Sequence, residues 1–251
     1  MSKLPVCFFT VADKNNLRFA KQLENSLKKF HPDIPFFLYT EEDVGDPINY
    51  YRQKPMFARN LIKKYDLVIG ADADQIITGS LDYILKENYE VGCVMNYNRT
   101  DPKKYGLIGV WDILPQEYMN AGFVAMRSER FILNWWRLCN SAHFNNAQYK
   151  EQDLMNIIIH YGDFKVECFD VPNKVKNYHA WHGLVSKGEW DKMVMKDGKL
   201  MLPKTDDNYP EEDKEIKVLH SAGGGNEKKI GDSYRLYFSD EVIDYLEGLI
   251  K

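Results

Sequence analysis

Several things are scarce in this chain, and each scarcity removes a class of function. There are 4 cysteines in 251 residues (Cys7, Cys93, Cys139 and Cys168), far apart, in apolar surroundings and with no CxxC pair. They indicate no disulfide framework and read as reduced core residues of a cytosolic protein. Long apolar runs are also missing. The first, Val6 to Val11, is too short to span a bilayer, and no signal-peptide cleavage pattern follows it. The expectation is therefore no transmembrane segment and a cytoplasmic location. Asn98-Arg99-Thr100 matches a glycosylation acceptor pattern, but without a secretory signal it carries no weight. There is no basic stripe: 33 Lys and Arg are scattered among 37 Asp and Glu, for a net charge of -4. That argues against a nucleic-acid partner. Internal repeats and low-complexity tracts are absent too.

What is present is core material. Hydrophobic residues make up 44% of the chain, with 16 Tyr, 13 Phe and 5 Trp. The length fits a single α/β domain over residues 1–251. The aromatic share suits an aromatic-lined cleft or an ordinary core equally well.

Strand-like and helix-like segments alternate. Val6–Val11 reads as a strand. Leu17, Ala20, Leu23 and Leu27 recur at helical spacing over Leu17–Phe30, and Pro32 closes that helix. Phe36–Thr40 is a second strand, Pro55–Tyr65 a helix and Leu67–Ala71 a third strand. A short helix at Leu81–Glu87 and strands at Glu90–Met95 and Tyr118–Met126 follow. Helices are expected at Glu129–Cys139, Glu151–Tyr161 and Ser239–Ile250, the last with Ser239 as N-cap. Lys165–Phe169 and Ile216–Leu219 read as late strands. Asn96–Gln116 and Asn173–Glu215 read as long loops. The alternation predicts a mostly parallel central sheet flanked by helices. Ligands of such sheets bind beyond the carboxyl ends of the strands, where Thr10 to Asp13 and Asp72 to Asp74 both fall.

The densest chemistry lies in Asp66-Leu67-Val68-Ile69-Gly70-Ala71-Asp72-Ala73-Asp74. An apolar strand runs into two carboxylates spaced i, i+2, which share one side of an extended chain. Such oxygen ligands suit Mg²⁺ or Mn²⁺, and these cations commonly also engage substrate phosphates. A second group is Val218-Leu219-His220-Ser221-Ala222-Gly223-Gly224-Gly225-Asn226-Glu227-Lys228-Lys229. A neutral imidazole is a good further ligand for a divalent metal. Glycines let backbone approach an anion, and a lysine offsets phosphate charge. On its own His220 reads as a satisfied core histidine sooner than as a ligand, and a lone Asp72–Asp74 pair as turn caps; it is the two together, with the glycine run, that favour a metal site. The third group is Glu151-Gln152-Asp153-Leu154-Met155-Asn156 at a helix start, where acids also suit the helix dipole. The fourth is Tyr118-Met119-Asn120-Ala121-Gly122-Phe123-Val124. Its Asn120 needs a polar partner inside an apolar strand, from backbone or from a sugar hydroxyl.

Taken in this order, these groups resemble a glycosyltransferase of the GT-A fold, in particular glycosyltransferase family 8, over about residues 5–230. The family's "YLDAD" is similar to Ile69–Asp74, its "FNSGV" to Met119–Phe123, its "DQ(D/G)xLN" to Glu151–Asn156, and its "HxxGxxKPW" to the His220 segment. The resemblance implies that Asp72, Asp74 and His220 hold Mn²⁺ (or Mg²⁺) against the diphosphate of a nucleotide sugar, with UDP the usual nucleotide. It implies that Thr10, Val11, Ala12 and Asp13 line the base and ribose, and that Lys54 lies near the nucleotide. Ala73 sits between the two metal aspartates, and Gly223 and Lys228 would approach the phosphates. Asn120, Glu151 and Gln152 would face the transferred sugar, a carboxylate such as Glu151 or Asp153 would stabilise the positive charge that develops on it, and transfer would retain anomeric configuration. The acceptor would be a hydroxyl of a glycan, protein or small molecule. Two departures stand out: Glu151 replaces the family's aspartate, and Lys228 and Lys229 come late, with no Pro-Trp after them.

Other readings of the same residues are a nucleotidyltransferase acting on sugar phosphates, a haloacid-dehalogenase-type phosphohydrolase, and a non-catalytic binding protein. The first wants a glycine-rich basic loop after the first strand, but Thr10–Asn16 contains no glycine. The second places its aspartate pair after the first strand rather than the third.

Overall fold

The apolar run near the start becomes strand β1 (Leu4–Val11). Its residues Cys7, Phe8, Phe9 and Thr10 are all buried. A strand with no solvent face needs neighbours on both edges and cover on both sides, as in a parallel sheet interior. The computed structural model describes residues 4–44, 50–96, 113, 117–169, 179–181, 193–203, 213–220 and 238–251. The chain divides into two compact units, each assembled from separate stretches.

The first unit takes Met1–Lys14, Ile34–Asp72 and Ile84–Cys168. In it β1 pairs in parallel with β2 (Phe36–Tyr39) and β3 (Tyr65–Ala71). The sheet continues through β6 (Met119–Met126), β5 (Val91–Met95) and β7 (Val166–Cys168), giving the order β2-β1-β3-β6-β5-β7. Only β6 runs against the others, so the sheet is mostly parallel, as the alternation of segments predicts. The chain goes from β1 to β2 on one side and returns to β3 on the other. That is a topological switch point, where open α/β sheets bind ligands. Phe9 lies opposite Gly70. Thr10 and Val11 therefore come level with Ala71 and Asp72. Gly70 cannot be larger: a Cβ there would lie 2.8 Å from the Phe9 ring, which is itself fully buried.

Helices α2 (Glu41–Val44), α3 (Tyr50–Leu61), α5 (Glu129–Cys139), α6 (His143–Asn146) and α7 (Glu151–Tyr161) belong to this unit. Helix α3 packs on β1, β3 and α5, and α5 on α7. The expected helix at Pro55–Tyr65 is shifted. It begins more than a turn earlier and carries Pro55 inside. Proline suits a first turn because it lacks an N–H, but here it lies beyond the first turn. The helix stops at Leu61, and Tyr65 is drawn into β3 opposite Leu4. Helix α5 starts as expected, with the Ser128 hydroxyl accepting from Phe131 N. Trp135 on α5 is fully buried, and its Nε1 donates to Glu151 O at 2.8 Å, pinning the start of α7.

The second unit takes Asn15–Asp33, Ala73–Tyr83 and Phe169–Lys251. Helix α1 (Leu17–Phe30) has the bounds its periodicity predicts, and its buried face carries Phe19, Ala20, Leu23 and Leu27. It packs on β4 (Gln75–Ile77) and on α8 (Asp240–Ile250). The Ser26 hydroxyl accepts from Ile77 N at 3.0 Å. Ser239 caps α8 by accepting from Val242 N, as predicted. The late strand falls at β12 (Val218–His220), between β4 and β8 (His179–Trp181). The short helix near Leu81 is α4 (Asp82–Lys86).

The stretch read as a loop over Asn173–Glu215 contains strand structure instead. Besides β8 it holds β9 (Val194–Lys196), β10 (Lys199–Leu202) and β11 (Lys214–Glu215), which pair antiparallel in the order β11-β10-β9. The connection between β9 and β10 is Asp197-Gly198, both at positive φ, 52° and 73°. That is the two-residue hairpin turn that Asp-Gly favours. Of the other expected loop, 96–116, only Asn96 and Ile113 are described.

Candidate functional site

Strand β3 is buried from Leu67 to Ala71, and it delivers Asp72 at its carboxyl end. Asp72 N donates to Gly122 O at 2.7 Å. The next residues turn into β4, so the carboxylate pair lies on a turn rather than on a strand. Lys54 projects from α3 and donates to Asp72 Oδ1 at 2.6 Å and to Ala121 O at 2.8 Å. Lys54 is only 8% exposed, so the carboxylate offsets a cation that would otherwise be stranded in low dielectric. Asp74 Oδ1 stands 3.2 Å from His220 Nε2 on β12, and His220 is opposite Gln75 of β4. Asp72, Asp74 and His220 each offer one ligand atom, and these atoms lie within 4.8 Å of one another. Two carboxylate oxygens and an imidazole nitrogen make a donor set that fits Mn²⁺, or Mg²⁺ with more of its water retained.

The nucleotide stretch divides by position. Thr10 and Val11 close β1, and Ala12 N donates to Tyr39 O at 2.9 Å. Thr10 is buried, and its hydroxyl has no hydrogen-bond partner among the described residues. The Tyr39 ring stacks on Phe57 with centroids 3.7 Å apart. Ala73 is buried on the carboxylate turn. Gly223 and Lys228 lie outside the described residues.

The start of α7 joins β6 through a hydrogen-bonded network. Asn120 Nδ2 donates to Gln152 Oε1 at 2.6 Å, and Ala121 N donates to the same oxygen at 2.9 Å. Asn120 Oδ1 accepts from Gly122 N at 2.6 Å. Gln152 Nε2 donates to the Tyr118 hydroxyl at 3.2 Å. That hydroxyl donates to Asp153 Oδ1 at 2.7 Å, and Asp153 Oδ2 accepts from Tyr149 N at 3.0 Å. Asn156 accepts from Met119 N and donates to Met119 O, so its amide serves as a partner for the first residue of β6. Asn120 thus finds both side-chain and backbone partners, as a buried amide requires.

Glu151 differs from its neighbours. It is 7% exposed, and its Oε2 has no hydrogen-bond partner. Burial pushes its carboxyl up to about 8; Asp72 and Asp153 push the same way, while the Lys54 ammonium opposes them. Lys150, just before it, sits at φ 49° and ψ -122°. Gln152 N donates to Tyr149 O at 2.9 Å. Tyr149–Gln152 therefore form a turn whose second position ordinarily takes glycine.

The residues sequence reasoning left without a role are Tyr118, Tyr149 and Asn156. Nothing marked Tyr118 among 16 tyrosines. Its place next to Asn120, with Asp153 and Asn156 one helical turn apart, was the available signal.

No protein-family model matches the chain, and neither does the sequence of any curated protein. Solved structures do match it. One is the galactosyltransferase LgtC in complex with donor and acceptor sugar analogs: 14% identity, TM-score 0.60, covering 97% of this chain and 96% of that one. Another is the apo bifunctional glycosyltransferase WbbM, at 16% identity and TM-score 0.60; this chain is 99% covered but spans only 50% of WbbM. A third is the glycosyltransferase GlyE of Streptococcus pneumoniae TIGR4, at 12% identity and TM-score 0.56, covering 96% of this chain and 63% of that one. The chain has the fold of these enzymes, which is the GT-A fold the resemblance implies.

Proposed function

We propose that the chain is a glycosyltransferase: it moves a sugar from a nucleotide-diphosphate donor, a UDP-sugar, to a hydroxyl acceptor, with retention. The observation that carries the reading is the meeting of Asp72, Asp74 and His220 on a fold shared with sugar-transferring enzymes. These residues would hold Mn²⁺ or Mg²⁺, which supplies positive charge against the departing diphosphate. Thr10, Val11, Ala12 and Asp13 would line the base and ribose at the switch point beside β3, and the buried Thr10 hydroxyl suits a polar ligand atom there. Lys54 holds Asp72 in place, and Gly223 and Lys228 would approach the phosphates. Asn120, Gln152 and Glu151 would face the sugar, and the oxygen released by the diphosphate could take the acceptor proton. A cytoplasmic setting belongs to the same reading; its support is that all four thiols are free.

The test is incubation with a panel of UDP-sugars and Mn²⁺, following UDP release and the melting temperature together. A Mn²⁺-dependent rise in melting temperature with UDP, plus UDP release, supports the reading. Release of pyrophosphate from a sugar phosphate and a nucleoside triphosphate would replace it with nucleotidyl transfer. Orthophosphate from a phosphomonoester would replace it with phosphohydrolase chemistry.

A further inference from the structure

The network at the start of α7 has a polarity that can be read bond by bond. Ala121 N is a backbone donor, so the Gln152 atom facing it is the carbonyl oxygen Oε1. That oxygen also accepts from Asn120 Nδ2, so both its lone pairs are engaged. The amide nitrogen then faces the Tyr118 hydroxyl, which accepts from it because its own single hydrogen goes to Asp153. Asp153 is fully buried, with one oxygen holding Tyr118 and the other holding Tyr149 N. No alternative orientation of the amide satisfies these partners. A flipped Gln152 would set an N–H against Ala121 N–H and a carbonyl oxygen against a hydroxyl whose hydrogen is committed elsewhere. Burial and the Asp153 carboxylate both raise the Tyr118 phenol well above its ordinary range, so that hydrogen stays on the phenol.

We propose that Tyr118 and Asp153 are positioning residues that lock the Gln152 amide with its nitrogen turned out, as a hydrogen-bond donor to a sugar oxygen. Two consequences follow for the reaction proposed above, on which this inference rests. Gln152 Oε1 accepts two hydrogen bonds and the fully buried Asp153 carboxylate holds Tyr118 and Tyr149, so both are engaged in keeping the amide in place. Of the amide's two hydrogens, one goes to Tyr118 and the other has no acceptor among the described residues. That second hydrogen is the one offered to the substrate. Glu151, with Oε2 unpartnered, is left as the carboxyl at this helix end able to meet a sugar hydroxyl.

The experiment is Tyr118→Phe, read in two ways. The first uses the protein alone: the side-chain amide resonances of Gln152, identified by their loss in Gln152→Ala. In the parent protein the two hydrogens should be well separated in shift and slow to exchange with solvent. In Tyr118→Phe they should move toward free-amide values and exchange at least tenfold faster. Unchanged resonances overturn the lock, whether or not any donor is turned over. The second is kinetic: kcat for UDP-sugar turnover should fall roughly 10- to 100-fold, with the KM for the donor little changed. Gln152→Ala combined with Tyr118→Phe should be no slower than Gln152→Ala alone, since Tyr118 acts through Gln152. Losses that multiply instead would make Tyr118 a merely structural residue and overturn its positioning role. Absence of turnover in the parent protein, with the resonances behaving as predicted, would remove the transferase reading and leave the locked donor in place.

Discussion

At the turn between β3 and β4, charge is concentrated: two carboxylates stand near a buried imidazole, and one of them neutralises Lys54. At the start of α7 the opposite holds. Asn120, Gln152, Asp153 and Tyr118 exchange hydrogen bonds among themselves and with backbone, so the arrangement holds its shape without a ligand and leaves one hydrogen of the Gln152 amide to offer. The contrast is one of dependence. Converging carboxylates are relieved by a cation, so that region gains most from binding one. A network closed but for one donor gains little from a ligand and serves to hold geometry before one arrives. Glu151 belongs to neither pattern. It stands within the network's helix, but its Oε2 has no hydrogen-bond partner and its carboxyl is raised by burial.

Substitutions can sharpen or break this contrast. The largest effect is expected from Asp74→Asn, which should abolish Mn²⁺-dependent UDP release. The side chain is 31% exposed, so the melting temperature of the metal-free protein should stay within about 2 °C. Asp74 is the better choice over Asp72, whose loss would strand the buried Lys54. Full turnover by Asp74→Asn would show that this turn does not depend on a cation.

A smaller effect is expected from Glu151→Gln, measured as melting temperature against pH in metal-free protein. A carboxyl that titrates higher in the folded than in the unfolded chain destabilises the fold as it ionises. The penalty is absent below the ordinary carboxylate range and complete above about 8. The parent should therefore lose ground to the variant as pH rises through that window, by roughly 5–10 °C at the alkaline end. Parallel curves for the two proteins would return Glu151 to the hydrogen-bonded group. The Tyr118→Phe experiment probes the network in the same spirit.

The smallest effect is expected from Lys150→Gly. A lysine at positive φ stores roughly 1–3 kcal/mol. Its contact over the Phe144 ring at 5.5 Å returns at most about 1 kcal/mol, and glycine's extra freedom in the unfolded chain costs about as much. A net gain of about 1 kcal/mol remains, or ~2–4 °C in melting temperature. A drop of that size would mean the turn depends on the lysine rather than merely tolerating it.

Much of the fold was legible along the chain, for identifiable reasons. Leu17–Phe30 has an apolar face at helical spacing and folds with those bounds. The run from Leu67 to Ala71 is buried on both sides and reads as a continuous apolar strand. Ser239 announces α8. Where reading failed, the signal was local and overlooked or else not local at all. Asp197-Gly198 between Val194–Lys196 and Lys199–Leu202 is a hairpin signature inside a stretch that polarity marked as loop. Pro55 marks a first turn by its chemistry, whereas α3 begins at Tyr50 and carries that proline inside.

The candidate site divides in the same way. Residue type and spacing alone determined that Asp72 and Asp74 would emerge together from a buried strand, because two residues cannot separate far along a chain. Whether His220, far off in sequence, would join them was a matter of strand pairing: β12 beside β4 brings His220 opposite Gln75, next to Asp74. The role of each polar group at α7 was likewise decided only by tertiary structure. Hydrogen-bond direction depends on which atoms meet, and Ala121 N, the Tyr118 hydroxyl and the Asp153 carboxylate meet Gln152 and one another only once β6 and α7 are packed.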